Sequence, residues 1–458
     1  MILTIKEIKT LFSDNTLKLD DKTCPTGISK DTRILKPGEI YVALSGENFD
    51  GHDYVAKALK QGAIAAIVSD KKISGDNIIY VEDTIKALGK LAHYYRQKFS
   101  QPLVAITGSN GKTTTKEFLT HVLKTSGSVI ATQGNLNNHI GVPLTIFSFH
   151  ENADFFVVEM GMNHLDEIAY LTQITQPTEA LITNVGRAHL EGVGGKIEHV
   201  TQAKSELFTG LDEQNTAFYY TGCPYISAMQ TKAQKRTFGF SPNNDVWAEN
   251  IIVAQQGTTF SLHYENKSLT IKLSLVGKHH VQNALAVFSI CHKLGLHDDL
   301  IKQGLESFTI KLNRGRKIVK NSVTFIDDTY NANPDSVLTA FNALLDEYPQ
   351  AYTIVALGSM LELGDNSPQW HEEIGKKAKD LGFNEIFAYG NLAQNYLKGF
   401  GYAQSMCEKR FFQDHNNMAD AIKESIDKQK EPVVVLFKGS RGMTMEKVLA
   451  NLEKTIED

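Results

Sequence analysis

The sequence predicts an α/β protein of three domains. A small α/β unit covers residues 1–82, a central parallel-sheet domain built round a phosphate-binding loop (P-loop) covers 83–312, and a Rossmann-like domain covers 313–458. Three observations carry this prediction. Apolar strand-like runs alternate with helical patterns along most of the chain, which implies mainly parallel sheets with helices on both faces. One such strand runs into the glycine turn Gly108-Ser-Asn-Gly-Lys-Thr113 and then into a helical pattern. A length of 458 residues fits about three domains.

The elements follow in order. Ile5, Ile8, Leu11 and Phe12 share one helical face, predicting an amphipathic helix over 5–12. Strands are predicted at 39–44, 63–68 and 77–81, with a helix at 53–61 between the first two. Asp83 is a good N-cap for a helix to about residue 98. Strand-like runs recur at 104–107, 129–132, 155–159 and 180–184. An insertion near 237–276 breaks this rhythm. Phe260, Leu262 and Tyr264 alternate, Glu265-Asn-Lys267 turns, and Leu269, Ile271 and Leu273 alternate again, predicting a β-hairpin at the domain edge. Runs at 324–326, 353–357, 385–389 and 432–438 repeat the pattern without any G-x-G-x-x-G.

Composition narrows the functional classes. Hydrophobic residues make up 42% of the chain, enough for ordinary cores. The net charge of −5 argues against non-specific nucleic-acid binding. Cys24, Cys223, Cys291 and Cys407 lack C-x-x-C spacing, so neither a disulfide framework nor a zinc site is expected. No apolar run reaches 18 residues, and charges interrupt the N-terminal Met-Ile-Leu-Thr-Ile-Lys-Glu-Ile-Lys. A soluble, cytoplasmic protein is expected, with no membrane span, and as a monomer.

The segment 104–115, Val-Ala-Ile-Thr-Gly-Ser-Asn-Gly-Lys-Thr-Thr-Thr, carries the strongest chemical signal. A strand, a glycine turn and a helix N-terminus together make a phosphate cradle. Gly108, Ser109, Asn110 and Gly111 turn the chain, and backbone N–H groups face the anion. Lys112 reaches the outer phosphates, and the hydroxyls of Thr113 and Thr114 follow, Thr113 being placed to ligate Mg²⁺. The general pattern G-x-x-x-x-G-K-[ST] has glycine where this chain has Ile106, so the loop is a compact variant.

That variant resembles the ATP-binding loop of the Mur ligase family, and further motifs extend the resemblance. Asn135-Leu-Asn-Asn-His-Ile-Gly-Val-Pro143, Glu159-Met-Gly-Met162 and Thr183-Asn-Val-Gly-Arg-Ala-His189 come first. Gly277-Lys-His-His-Val-Gln-Asn283, Asp327-Asp-Thr-Tyr-Asn-Ala-Asn-Pro334 and Lys438-Gly-Ser-Arg-Gly-Met443 follow in family order. The Tyr-Asn-Ala-Asn-Pro segment and Leu361-Glu-Leu-Gly364 look most like the branch that joins D-alanyl-D-alanine to a UDP-N-acetylmuramoyl-tripeptide. The resemblance implies an ATP- and Mg²⁺-dependent amide ligase whose central domain is the ATPase.

The same resemblance assigns site residues. Glu159, at a strand end, would hold the metal with Thr113; without the family it is equally a solvated carboxylate. His189 would help hold a second Mg²⁺, although taken alone it is a polar loop residue. Lys204 reads as an ordinary helix lysine, yet the family's lysine at this place is carbamylated into an anionic oxygen ligand. Lys112, Lys204 and His189 are therefore the catalytic candidates. Asn283, Arg316, Asp328, Tyr330 and Asn331 match motifs that hold adenine, ribose and the γ-phosphate. Ser29, Thr32, Arg33, Asp50, Gly51 and His52 resemble the UDP-sugar side, with Asn137 and Asn138 between it and the metal. His280 stands where the family usually has Asn, and Ser359 where Gly-Asp-Met is usual. Two other readings stay open at this point: a folylpolyglutamate synthase-like amide ligase, and a nucleotide switch or kinase.

Overall fold

Runs such as Leu103–Thr107 and Phe155–Glu159 are apolar up to their last residue, the pattern of strands covered on both faces. They lie in parallel-rich sheets in the computed structural model, which describes residues 1–46, 48–254, 256–310 and 315–455. The boundary expected between 312 and 313 lies outside the described residues. Among them, no helix is long and apolar enough to cross a membrane.

The N-terminal part holds β1 (Ile28–Ser29), β2 (Ile40–Val42), β3 (Ser45–Gly46), β4 (Phe49–Asp50), β5 (Ala65–Val68) and β6 (Ile78–Tyr80). Its parallel sheet runs β1-β2-β5-β6, and β3 and β4 form a separate ribbon. The expected first helix spans Ile5–Leu11. Its Thr4 cap and Glu7 form a capping box. Asp83 caps the Thr84–Arg96 helix through two backbone N–H groups.

The central sheet holds β7 (Leu103–Thr107), β8 (Val129–Ala131), β9 (Phe155–Glu159), β10 (Glu179–Ile182), β11 (Thr216–Tyr220), β12 (Gln234–Gly239), β13 (Val246–Ala254), β14 (Gly257–Tyr264) and β15 (Lys267–Leu273). Their order is β15-β14-β13-β12-β11-β10-β7-β9-β8. The period of two splits β7, β9, β10 and β11 between two cores. Leu103 and Ala105 face one core with the helices at 84–96 and 141–146. Val104 and Ile106 face the other with the helices at 112–123 and 278–293.

The expected hairpin is β14–β15, and β15 is the sheet edge. The main sheet reaches it through β11, β12 and β13. The sequence hid β13 because the ladder shifts between Glu249 and Ile252 and Asn250 takes a positive φ of 52°, which breaks strict alternation.

The third sheet holds β16 (Arg316–Lys320), β17 (Val323–Asp328), β18 (Tyr352–Gly358), β19 (Glu385–Tyr389), β20 (Phe411–Phe412) and β21 (Val433–Lys438), in the order β16-β17-β21-β18-β19-β20. All neighbours are parallel except β16, an antiparallel edge strand whose basic residues stand in for the apolar signal.

Outside this sheet, the helices Ser367–Asp380 and Gln394–Phe400 cross backbone against backbone. A Cβ on Gly375 would stand 1.9 Å from the Tyr396 carbonyl oxygen, and one on Gly399 1.9 Å from that of Glu372. Gly375→Ala should therefore force these helices apart and cost about 1–3 kcal/mol. A lowered urea midpoint checks this; an unchanged one would mean that the helices do not meet so closely.

Candidate active site

Glycine is obligatory at the start of the phosphate loop. Gly108 has φ +148°, and a Cβ there would stand 1.9 Å from Thr183 Oγ1. Gly111, at φ +79°, leads into the Lys112–Leu123 helix. The loop after β10 buttresses this turn. Ser109 N donates to Asn184 O (3.0 Å), Asn110 N to Asn184 Oδ1 (2.8 Å) and Thr183 Oγ1 to Asn110 O (2.6 Å). Ser109 Oγ donates to Gly186 O at 3.0 Å and accepts from Gly186 N at 2.9 Å. Lys112 Nζ folds back to Gly108 O at 2.6 Å. The first N–H groups of a helix have no partner within it, so the turn presents donors to the space above.

That space is a cavity of about 970 Å³ between the carboxyl edges of the central and third sheets. The structure brings most of the expected residues to its wall. Ser109 to Thr114, Asn137, Asn138, Glu159, His189 and Asn283 come from the central part; Arg316, Asp328, Tyr330 and Asn331 come from the other side. Gly108 and Lys204 are not on this wall, and neither are Ser29, Thr32, Arg33, Asp50, Gly51 and His52.

Those six residues keep their own company. Ser29 and Thr32 are buried, and Arg33 forks onto Asp31 through Nε (2.9 Å) and Nη2 (2.6 Å). The Ser69 amide donates to His52 Nε2 at 2.9 Å, so the ring proton sits on Nδ1, 2.6 Å from Asp50 Oδ1. The His52 amide and ring hold the Asp50 carboxyl down to about 2. A Cβ on Gly51 would meet the Leu44 carbonyl oxygen at 2.5 Å.

Glu159 ends β9 at only 2% exposure. Its Oε1 accepts from Asn137 Nδ2 at 2.8 Å, and its Oε2 has no hydrogen-bond partner. Lys116 Nζ stands 4.0 Å from that oxygen, beyond hydrogen-bond range, and donates instead to Thr132 O. A buried carboxylate oxygen left without a donor fits a hard cation. Among the described residues, no group of three or more His, Cys, Asp or Glu side chains is arranged to hold a metal. The observation that fits a cation is therefore the unpartnered Glu159 oxygen.

Lys204, on the Ile197–Thr209 helix, is 1% exposed. That excludes a solvated surface lysine. Burial first, and then the charge of Lys112, push its ammonium well below the ordinary lysine range. His189 has φ +56°, and its Nδ1 lies 2.6 Å from Glu362 Oε2, out of line for a hydrogen bond. The contact lowers the Glu362 carboxyl.

Asn138 Oδ1 accepts from Ile140 N and Gly141 N, turning the chain into the Gly141–Ile146 helix. His280 lies in the cavity wall with Nδ1 unpartnered, and burial pushes it well below an ordinary histidine. Ser359 is buried and donates weakly to Tyr389 O at 3.4 Å.

Three side chains escaped sequence reasoning. Lys116 lies one helical turn beyond Lys112, a spacing that puts both on one face and could have been read. Gln282 Nε2 ties the Lys278–Lys293 helix to Thr183 O at 2.9 Å. Lys438 was seen only as part of a motif. It is buried, and its Nζ donates to Asp328 Oδ2 (2.5 Å) and Asn331 O (3.0 Å), because β17 and β21 pair Asp328 with Lys438.

Comparison with known proteins identifies the family. Three family models match in order: "Mur ligase family, catalytic domain" over residues 25–96, "Mur ligase middle domain" over 106–291 and "Mur ligase, glutamate ligase domain" over 313–441. The chain is 36% identical over 440 residues to the UDP-N-acetylmuramoyl-tripeptide–D-alanyl-D-alanine ligase of Haemophilus influenzae, covering 94% of each chain. A crystal structure of MurF from Acinetobacter baumannii superposes with a TM-score of 0.89 at 32% identity, covering 98% of both chains. MurF ligase from Thermotoga maritima in complex with ADP superposes with a TM-score of 0.85 at 29% identity, covering 96% of this chain and 99% of that one. The chain belongs to the Mur ligase family.

Proposed function

We infer that this chain is an ATP-dependent ligase that joins D-alanyl-D-alanine to UDP-N-acetylmuramoyl-tripeptide in peptidoglycan precursor synthesis. Similarity to ligases of that name over nearly the whole chain supports the substrates. One observation supports the chemistry above all: the phosphate loop, the orphaned carboxylate oxygen of Glu159 and, from the facing wall, Asp328 line one cavity. The folylpolyglutamate synthase-like alternative is not favoured, because full-length relatives carry the muramoyl name.

A carboxylate is a poor electrophile because its charge repels the incoming amine. The tripeptide carboxylate attacks the γ-phosphorus of ATP, ADP leaves, and an acyl phosphate forms. The amine of D-alanyl-D-alanine then attacks the acyl carbon, and phosphate leaves as the amide forms. Lys112 and the N–H groups of Gly111 to Thr114 stabilise charge on the phosphoryl oxygens. Arg316 and Asp328 approach the nucleotide from the third sheet, with Tyr330, Asn331 and Asn283 along it. Lys438 keeps Asp328 in place. Thr113, Glu159, His189 and Lys204 would hold Mg²⁺, which when bound neutralises charge on the phosphates. Asn137 orients Glu159. Ser29, Thr32, Arg33, Asp50, Gly51 and His52 take the UDP-sugar end, with Asn137 and Asn138 between them and the metal. The third sheet and its helices exclude water from the acyl phosphate. We place the enzyme in the cytoplasm, as a monomer of three domains (1–82, 83–312 and 313–458), without nucleic-acid partners.

The test of the reaction is ADP release with substrates withheld singly. ADP should appear only with the tripeptide, and full turnover should need D-alanyl-D-alanine as well. Steady hydrolysis at an unchanged rate with neither would point to a nucleotide switch.

The neutral amine of Lys204 can add CO₂, forming an N–C bond and releasing a proton to solvent. The product is an anionic oxygen donor. Lys204→Arg keeps a cation but forms no carbamate, so it should be as inactive as Lys204→Ala. High acetate or formate should restore part of the activity of the alanine variant, whose gap admits a carboxylate, and none of the arginine variant. A fully active Lys204→Arg enzyme would remove the carbamate from the account.

A further inference from the structure

Arg187 has no part in the reaction described so far, and its side chain does not line the cavity, although Gly186, Ala188 and His189 do. It points instead into the seam between the central part and two helices packed on the third sheet. Its guanidinium meets Asp335, in the first turn of the Pro334–Glu347 helix, through Nε (2.9 Å) and Nη2 (2.7 Å). Its backbone N–H donates to the other oxygen of the same carboxylate at 2.6 Å. Nη1 donates to Glu373 at 3.0 Å, and the guanidinium carbon stands 4.8 Å from the Trp370 ring centre; both partners lie on the Ser367–Asp380 helix. One side chain thus holds two helices by fork, charge and stacking, a combination that lysine cannot reproduce.

The loop carrying Arg187 also holds the phosphate loop. Gly186 brackets Ser109 Oγ with its N–H and C=O, and a Cβ on Gly186 would stand 2.6 Å from Asp335 Oδ2. Beside it, Asn110 and Asn333 exchange amide hydrogen bonds of 3.2 and 2.7 Å, and Asn333 caps the helix whose first turn holds Asp335. The seam and the phosphate loop are one hydrogen-bonded unit.

We propose that Arg187 is a positioning residue: it clamps the Pro334–Glu347 and Ser367–Asp380 helices onto the phosphate-loop buttress, and so sets Arg316 and Asp328 against the nucleotide without touching it. Its kinetic consequence rests on the ligase reading; its structural consequence does not. Loss of the clamp lowers the fraction of molecules with both walls assembled, which raises the apparent KM for ATP by that factor. Saturating substrates close the seam with their own binding energy, so kcat falls less.

The experiment compares wild type, Arg187→Gln and Arg187→Lys by small-angle X-ray scattering without ligand, and by steady-state kinetics. Arg187→Gln should show a larger radius of gyration and a KM for ATP raised roughly tenfold or more, with a smaller change in kcat. Arg187→Lys should resemble it, because the fork and the stack are lost while the charge is kept. An unchanged radius of gyration in Arg187→Gln would overturn the clamp, as would a fall in kcat at constant KM. A lysine variant indistinguishable from wild type in both would overturn it too. If wild type proved inactive with the muramoyl substrates, the ligase reading would fail while the scattering comparison still judged the clamp.

Discussion

Parallel strands bring their carboxyl ends to one edge of a sheet, and the candidate site hangs from that edge. β7 is flanked by β10 and β9, both parallel to it. The phosphate loop, Glu159 and the buttress around Asn184 are far apart in sequence and become neighbours for that reason alone. The third sheet repeats the arrangement with β17, β21 and β18, whose ends bring Asp328 and Lys438 together. Two such edges facing each other enclose a cavity with phosphate donors on one wall and the Arg316–Asp328 group on the other. Reversing β7 would carry its loop to the far edge, away from Glu159.

The edge also concentrates charge in a place with little water. Burying an ionised group without partners is costly, and a group can escape by changing its protonation or by gaining a ligand. Lys204 takes the first course: burial favours its neutral amine, the form that can react with CO₂. Glu159 fits the second, with one oxygen engaged by Asn137 and the other unpartnered. Lys116, 4.0 Å from that oxygen, softens the cost without satisfying it. These tensions are reasonable in a protein whose working state includes a cation and a polyphosphate.

Much of this was legible in the sequence, for identifiable reasons. Strands buried on both faces announce themselves as apolar runs, so β7, β9, β19 and β21 fall within a residue or so of expectation. β16 and β13 did not, because an exposed edge strand rich in lysine and arginine, and a strand with a bulge, lack that signature. The phosphate loop was readable because its chemistry is local. The pairing of Lys438 with Asp328, and of Arg187 with Asp335 and Glu373, was not, since each joins residues more than 100 positions apart. The burial of Lys204 was equally hidden: one lysine on an amphipathic helix looks like any other until its neighbours are in place.

The central claim is that the tripeptide carboxylate is activated by phosphoryl transfer before the amine attacks. Labelling that carboxylate with ¹⁸O tests it most directly, with mass spectrometry of the phosphate released during turnover with D-alanyl-D-alanine. The account predicts that one labelled oxygen passes from the carboxylate into each phosphate, because the oxygen that attacks the γ-phosphorus leaves with it. Phosphate free of label, formed at the same rate as the amide product, would contradict an acyl phosphate and the mechanism built on it.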